Sequence, residues 1–333
     1  VTSTIEVPTL TEPRRAKNGQ YLIMPPGEDK LRRWSRVTTV AKTLDSMGSL
    51  GPWKAYMAMG GLMARPGLRA RWEALMGQYG GDPWYGGAED GKKAVKALIE
   101  ECATAGGQDD RKEIGSALHE MTALIDVGQR LNNVSETHRA DLRAYWRGLR
   151  ERHIKVVPGM VEVSVVLDDF QIAGTFDRLV SAPGFGRPLV ADLKCGGSLE
   201  YSWTSIATQL AAYSRANAIY RRGAADDGSQ DERLPMPEVD QDYGLIMWLP
   251  QGEARLELWL VNLADGWLAF RHSLWVRGWR RARPQTPFAE APFVDGGDLE
   301  TLLEESIRLQ REARGTANGA VVDLFPPTNK QGE

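Results

Sequence analysis

The chain has 333 residues, 42% of them hydrophobic, enough to bury a large core in one domain with substantial additions. Its net charge of −3 excludes a uniformly basic nucleic-acid coat, so what matters is where the charges lie. No signal peptide, internal repeat or apolar run of about 18 residues is read, so a soluble, cytoplasmic protein with no membrane span is expected.

Residues 1–30 hold several prolines and little periodicity, and read as an arm or irregular strand. Residues 40–80 read as helical, interrupted at Gly60-Gly61 and at Pro66-Gly67, and a glycine-rich loop over 80–91 precedes a helix over 92–105. Lys112 to Val127 has the spacing of an amphipathic helix, with Ile114, Leu118, Met121 and Ile125 apolar and His119 and Glu120 beside that stripe. Val161 to Val166 alternates and is β-branched, so it predicts a strand carrying Glu162. Asp168 and Asp169 form the turn into a second strand, Gln171 to Val180. Pro183-Gly184-Phe185-Gly186 turns the chain into a third, Leu189 to Lys194, which Gly196-Gly197 ends. Trp203 to Tyr220 then reads as a helix with Gln209 and Tyr213 on one face.

Residues 223–242 carry a net charge of −6 with scattered glycine and proline, and read as a solvated loop. Tyr243 to Leu249 and Ala254 to Leu263 predict a hairpin across Pro250-Gln251-Gly252. Helices over Asp265 to Arg283 and Leu299 to Arg314 and a loose tail complete the chain. His138, His153 and His272 read as surface residues. The sum is an α/β protein, a mixed central sheet flanked by helices with an N-terminal helical extension.

Polar residues set into the apolar strands demand a reason, because charge inside such strands is costly unless paired or metal-bound. Asp177 and Asp192 fall on adjacent strands, and Asp192 and Lys194, two apart, share a face. Carboxylates are the ligands that Mg²⁺ or Mn²⁺ prefers, and a cation held there polarises a phosphate and acidifies water. Lys194 would offset developing negative charge, Gln209 would donate to a phosphate or orient the lysine, and Tyr213 would hydrogen-bond nearby or pack.

In order along the chain stand Gly115-x-x-x-His119, Glu162, Gly174-x-x-Asp177, Asp192-x-Lys194 and Gln209-x-x-x-Tyr213. Together they resemble the RecB-like branch of the PD-(D/E)XK nuclease superfamily over about residues 110–280. Val37-Thr38-Thr39-Val40 followed by Trp53 is a weaker echo of phage members of that branch. The resemblance implies a restriction-endonuclease-like core over 111–285, an N-terminal arm and helical extension over 1–110 packed on it, and a C-terminal helix and tail over 286–333. It implies that His119, Asp177, Asp192 and the Leu193 carbonyl hold Mg²⁺ or Mn²⁺, with Lys194, Glu162, Gln209 and Tyr213 completing the catalytic set. Two cysteines, Cys102 and Cys195, cannot by themselves ligate the iron–sulfur cluster that some relatives carry, so the cluster-free form is expected. Their scarcity also points to a reducing compartment.

The function implied is a metal-dependent DNA exonuclease acting on linear single- or double-stranded ends in recombination or end processing, by metal-activated water. The setting implied is the bacterial cytoplasm, or that of a phage host, with a single-strand annealing protein or helicase as partner. Two other readings share the residues: a structure-specific endonuclease acting on flaps or branches, and a non-catalytic DNA-end-binding protein. Residues 1–72 carry a net charge of +7. Arg32, Arg33 and Arg36 surround Trp34, and Arg277, Arg280 and Arg281 interleave with Trp275 and Trp279, a mixture suited to a single strand or frayed end. Packing on the sheet is the expectation for Trp267 and Trp275.

Overall fold

The computed structural model describes residues 12–44, 50–87, 89–132, 134–200 and 202–282, with Glu304 and Arg308. Apart from Glu304 and Arg308, which are helical, the predicted Leu299–Arg314 helix lies outside the described residues, as do Arg283 and the first eleven residues. Val1–Arg281 forms one compact unit and Ala282–Glu333 a second, and the architecture below is that of the first.

The sheet is built in the order β7-β6-β3-β4-β5-β8-β9. Its central strands are β3 (Lys155–Leu167), β4 (Ile172–Ser181) and β5 (Leu189–Lys194). The outer strands are β6 (Ala218–Arg221), β7 (Glu232–Pro235), β8 (Tyr243–Trp248) and β9 (Glu257–Asn262). Near the N-terminus, β1 (Tyr21–Ile23) pairs with β2 (Arg32–Arg36), and β2 runs parallel to the start of β4. The β5–β8 pair is also parallel and the remaining pairs are antiparallel, so the sheet is mixed.

Alternation along β5 assigns the two faces. Leu189, Ala191 and Leu193 pack with Leu118 of α5 (Gln108–Asp126) and Tyr145 of α6 (Glu136–Glu151). Val190 packs instead with Val37 of α1 (Val37–Ala41), Leu210 of α7 (Trp203–Tyr213) and Phe270 of α8 (Leu263–Arg281). Period-two geometry therefore puts Asp192 on the α7 side and its neighbours on the α5 side. The fold is thus an α/β layered structure with helices on both faces of one sheet.

Three helices, α2 (Leu50–Ala64), α3 (Pro66–Gln78) and α4 (Glu89–Ala105), form the N-terminal helical part. Gly60-Gly61 does not interrupt α2. A Cβ on Gly61 would lie 1.9 Å from the Cys102 carbonyl oxygen, and one on Gly106 2.0 Å from that of Met57. These glycines serve close backbone approach between α2 and the end of α4, not a break.

Two other expectations are corrected. Helix α7 stops at Tyr213, because Asn217 docks on the end of β3: its N–H donates to the Val166 carbonyl and its side-chain oxygen accepts from Asp168 N, at 2.8 Å each. Ile219 then pairs beside Val165 as strand β6. The acidic stretch 223–242 is not wholly a solvated loop. It contributes β7, and the Asp231 side chain is buried, taking two bonds from Arg14 Nη1 at 2.5 and 2.7 Å and one from Gly223 N at 2.9 Å.

Gly174 shows how tightly α7 sits on β4. A Cβ there would lie 2.4 Å from Tyr213 Cε1 and 2.9 Å from Val37 Cγ2. Gly174→Ala is expected to cost about 1–3 kcal/mol by overpacking, read as a lower urea midpoint at unchanged slope. An unchanged midpoint would show that Tyr213 can step aside.

Candidate metal centre and its cleft

Helix α5, β3 and β4 converge on one point. His119, Glu162 and Asp177 each offer one ligand atom there, all within 4.8 Å of one another. His119 Nε2 lies 2.8 Å from Asp177 Oδ2, and Nδ1 lies 3.3 Å from Glu162 Oε1. The Leu193 N–H donates to the same Asp177 oxygen at 2.7 Å, which ties β5 to the group. Gly115, four residues before His119 and on the same face of α5, lets Gln251 approach, since a Cβ would sit 3.1 Å from its amide nitrogen.

The backbone is distorted where these side chains meet. Glu162 has φ +52°, uncommon for a residue with a Cβ. It sits across from Asp177, between the pairs Val161–Arg178 and Val163–Phe176. On β4, Phe176 packs toward Tyr213 of α7 whereas Arg178, two residues on, reaches Asp126 and Thr122 of α5. Facing on β4 therefore departs from strict alternation around Asp177, while the irregular register of β3 lies earlier, between Val156 and Val161; strained backbone such as that at Glu162 collects at functional sites.

Asp192 is not part of the gathered triad. It is buried, faces the α7 side and forms an ion pair with Lys194 Nζ. That Nζ also donates to the Leu193 carbonyl at 3.4 Å, the oxygen expected to reach a metal. Gln209 is buried and spends its amide on the Ser205 carbonyl of its own helix at 3.2 Å, not on the lysine. Tyr213 packs edge-on to Phe176 and over Gly174.

The charges are coupled. Burial pushes the Glu162 carboxyl up, the Asp177 charge adds to this, and it rises to about 7. Burial also raises Asp177, but the hydrogen bond and charge of His119, with Lys194 and Arg178, outweigh it and hold this carboxyl well below the usual range. For His119 burial lowers the pKa, and Asp177 and Glu162 reverse that to leave the ring above its ordinary value. Burial lifts Asp192 to about 6 despite Lys194.

Hard oxygens with one imidazole suit Mn²⁺ or Mg²⁺. The fit has a local mark: Glu162 Oε1 is buried and makes no hydrogen bond, although His119 stands nearby. A cation held by these atoms requires ionised Glu162 and neutral His119, so binding releases protons. A carboxyl raised in the folded state stabilises the fold below its unfolded pKa, and that contribution is lost as pH rises through the folded one. Glu162 therefore makes metal-free protein lose stability as pH climbs from the ordinary carboxylate range through about 7. The lowered Asp177 acts oppositely, its contribution vanishing only in strong acid. Thermal melts should show Mn²⁺ raising Tm more above pH 7 than well below it; an equal shift at both would contradict this assignment.

His119 and Glu162 of the triad line a cleft of about 770 Å³, together with Ser116 and Glu120 of α5, Trp53 of α2, Leu193, Gly196-Gly197 and Glu12. This size is typical of ligand sites. Its carboxylates would repel a phosphate chain without a cation between them.

The predicted arginines separate. Arg32 and Arg33 are exposed on β2, and Arg32 pairs with Glu28 at 2.6 Å. Arg36 lines a second cavity of about 330 Å³ with Arg15, Tyr21, Thr38, Thr175, Gly174 and Tyr213. Arg36 Nε donates to Thr39 Oγ1 at 3.2 Å, and Arg277 Nη1 donates to the Thr39 carbonyl at 3.3 Å. Residues from opposite ends of the chain thus meet at Thr39. Arg280 and Arg281 are exposed in the last turn of α8. Trp267 packs as expected, stacked on Phe270 at 5.3 Å, but Trp275 is exposed. The buried stripe of α8 is Leu263, Gly266, Phe270 and Ser273, and position 275 falls off it.

Sequence reasoning missed a buried network beside the site. Arg178 has no exposed surface; its Nε donates to Asp126 Oδ2 at 2.5 Å and its Nη2 to Thr122 Oγ1 at 2.7 Å. Tyr145 donates to the same Asp126 oxygen at 2.8 Å. His119, Thr122 and Asp126 recur at helical spacing on α5. The available signal was an arginine directly after Asp177 in an apolar strand.

No protein-family model matches the chain, and no curated protein matches it. Among the described residues, no helix is long and apolar enough to cross a membrane.

Proposed function

We propose that this chain is a metal-dependent deoxyribonuclease with a restriction-endonuclease-like core of the PD-(D/E)XK kind, acting as an exonuclease on linear DNA. The carrying observation is the gathering of His119, Glu162 and Asp177, the first two lining an open cleft, with the Asp192–Lys194 pair on the strand beside Asp177. His119, Glu162 and Asp177 would hold the cation, with Asp192 close by on β5. When bound, Mg²⁺ or Mn²⁺ there supplies charge neutralisation at the phosphate and acidifies a water.

The chain's own groups do the rest. Asp177 fixes the imidazole through Nε2 and locks β5 through the Leu193 N–H. Burial lowers the Lys194 pKa, but the charges of Asp192 and Asp177 and the hydrogen bond to Asp192 together outweigh it and leave the pKa raised, so the amine keeps its proton. Lys194 is therefore a fixed positive charge for the oxygens that become more negative as the phosphodiester breaks, and a proton source for the leaving oxygen. Arg36 and Arg277 offer cations for the DNA backbone.

The test is cleavage of end-labelled linear duplex and single-stranded DNA with Mg²⁺ or Mn²⁺, beside a covalently closed circle. Metal-dependent loss of the linear species with the circle spared is the expected result. Cutting of the circle would replace the exonuclease reading by the endonuclease one, and binding without cleavage of any substrate would favour an end-binding protein.

A further inference from the structure

The outer side of α8 carries a feature that neither the core nor the metal centre uses. Trp275 and Trp279 are 68% and 67% exposed, and their rings are stacked in parallel, 6.3 Å between centroids and 1° between planes. They stand one helical turn apart, and the buried stripe of α8 lies on its other side. Tryptophan is highly buried on average, so two exposed indoles side by side mark an interaction surface.

Cations flank them along the helix. Arg271 sits a turn before Trp275, and Arg280 and Arg281 follow Trp279. Among the described residues these three have no carboxylate partner, and the only acid on the helix is Asp265 in its first turn. Arg277 nearby has a lowered pKa, from burial first and then from repulsion by Arg281 and Arg280. This end of the helix therefore holds excess positive charge that an anion would relieve.

We propose that this face is a stacking platform for a single nucleic-acid strand, with base faces on Trp275 and Trp279 and phosphates against Arg271, Arg280 and Arg281. Aromatic faces and arginines in alternation match a polymer of flat rings on an anionic backbone. A duplex hides its base faces in the stack, so the platform favours unpaired strands or frayed ends. The choice of nucleic acid as the polymer rests on the nuclease reading, while the binding itself needs neither metal nor cleavage.

The experiment is fluorescence anisotropy of a labelled oligothymidylate with the full chain in chelator, so that nothing is cut. Trp275→Ala and Trp279→Ala should each weaken binding about tenfold, with Trp→Phe recovering part of the loss and binding to a blunt duplex little changed. Arg280→Ala should shallow the salt dependence. Both tryptophans are exposed, so these variants should melt like wild type. Unchanged affinity in the double tryptophan variant would overturn the inference, as would an equal loss for blunt duplex. So would a tryptophan-dependent dimer on size exclusion, which would make the face a contact between copies. Stacking without metal-dependent cleavage would sink the nuclease reading alone; cleavage without stacking would sink this one alone.

Discussion

Purified Lys194→Ala protein should bind linear DNA and fail to cut it, with turnover reduced by about a thousandfold or more. Lys194 is the cation on β5 nearest the carboxylates, held by its ion pair with Asp192 and its bond to the Leu193 carbonyl. Under the proposed function its loss removes the positive charge that would face the phosphate, while leaving the His119, Glu162 and Asp177 group in place. Folding should survive. Removing one partner of a buried pair strands the other, but burial already lifts Asp192 to about 6, so that carboxyl can take up a proton. Circular dichroism and melting should match wild type closely, and Mn²⁺ should still raise Tm. Near-wild-type turnover in this variant would remove the proposed chemistry.

The second large effect concerns stability. Arg178→Met should destabilise the protein by about 3–5 kcal/mol in urea unfolding, because it leaves the buried Asp126 carboxylate without its counter-charge. Burial already raises the Asp126 pKa even though Arg178 and Tyr145 oppose it. Pairing Arg178→Met with Asp126→Leu should recover most of the loss, since an apolar pair of similar volume often replaces a buried ion pair at little cost. Arg178 also couples to the site. It bolts α5 to β4 one residue after Asp177, and Thr122, which it holds, donates in turn to the His119 carbonyl at 2.8 Å. Catalysis should therefore fall in the double variant although every proposed ligand is present. A single variant with an unchanged midpoint would show that α5 is held by apolar packing alone.

The strands were legible wherever alternation and turn chemistry agreed. β5 was read at Leu189–Lys194, and the turn before it put Asp177 beside Asp192. That Asp177 lies beside a histidine came from motif order, since no local pattern links residue 119 to residue 177. The role of Asp192 was less visible. Alternation on β5 turns it from the α5 side, and only the three-dimensional kink at Glu162 brings that glutamate to His119 instead. A positive φ at a non-glycine residue leaves no compositional trace, because the strain is imposed by neighbouring strands. Strand β6 was lost to helix propensity, as the docking of Asn217 on β3 is a long-range contact. The exposure of Trp275 was in principle countable from the stripe of α8, but large aromatics invite the assumption of burial.

The crossing of α2 against the end of α4 carries a consequence for the cleft. Trp53 on α2 lines the opening, and its helix is seated peptide against peptide at Gly61 and Gly106. At those two points no side chain stands between the backbones, while Ala58 and Leu62 of α2 pack beside them with Leu98 and Cys102 of α4. The helix that carries Trp53 is therefore spaced at these points by main-chain contact, and a single methyl at either glycine acts as a shim that jacks α2 away from its support. Changing the bulk of residue 53 would alter the aperture smoothly, whereas a shim would reset it in one discrete step.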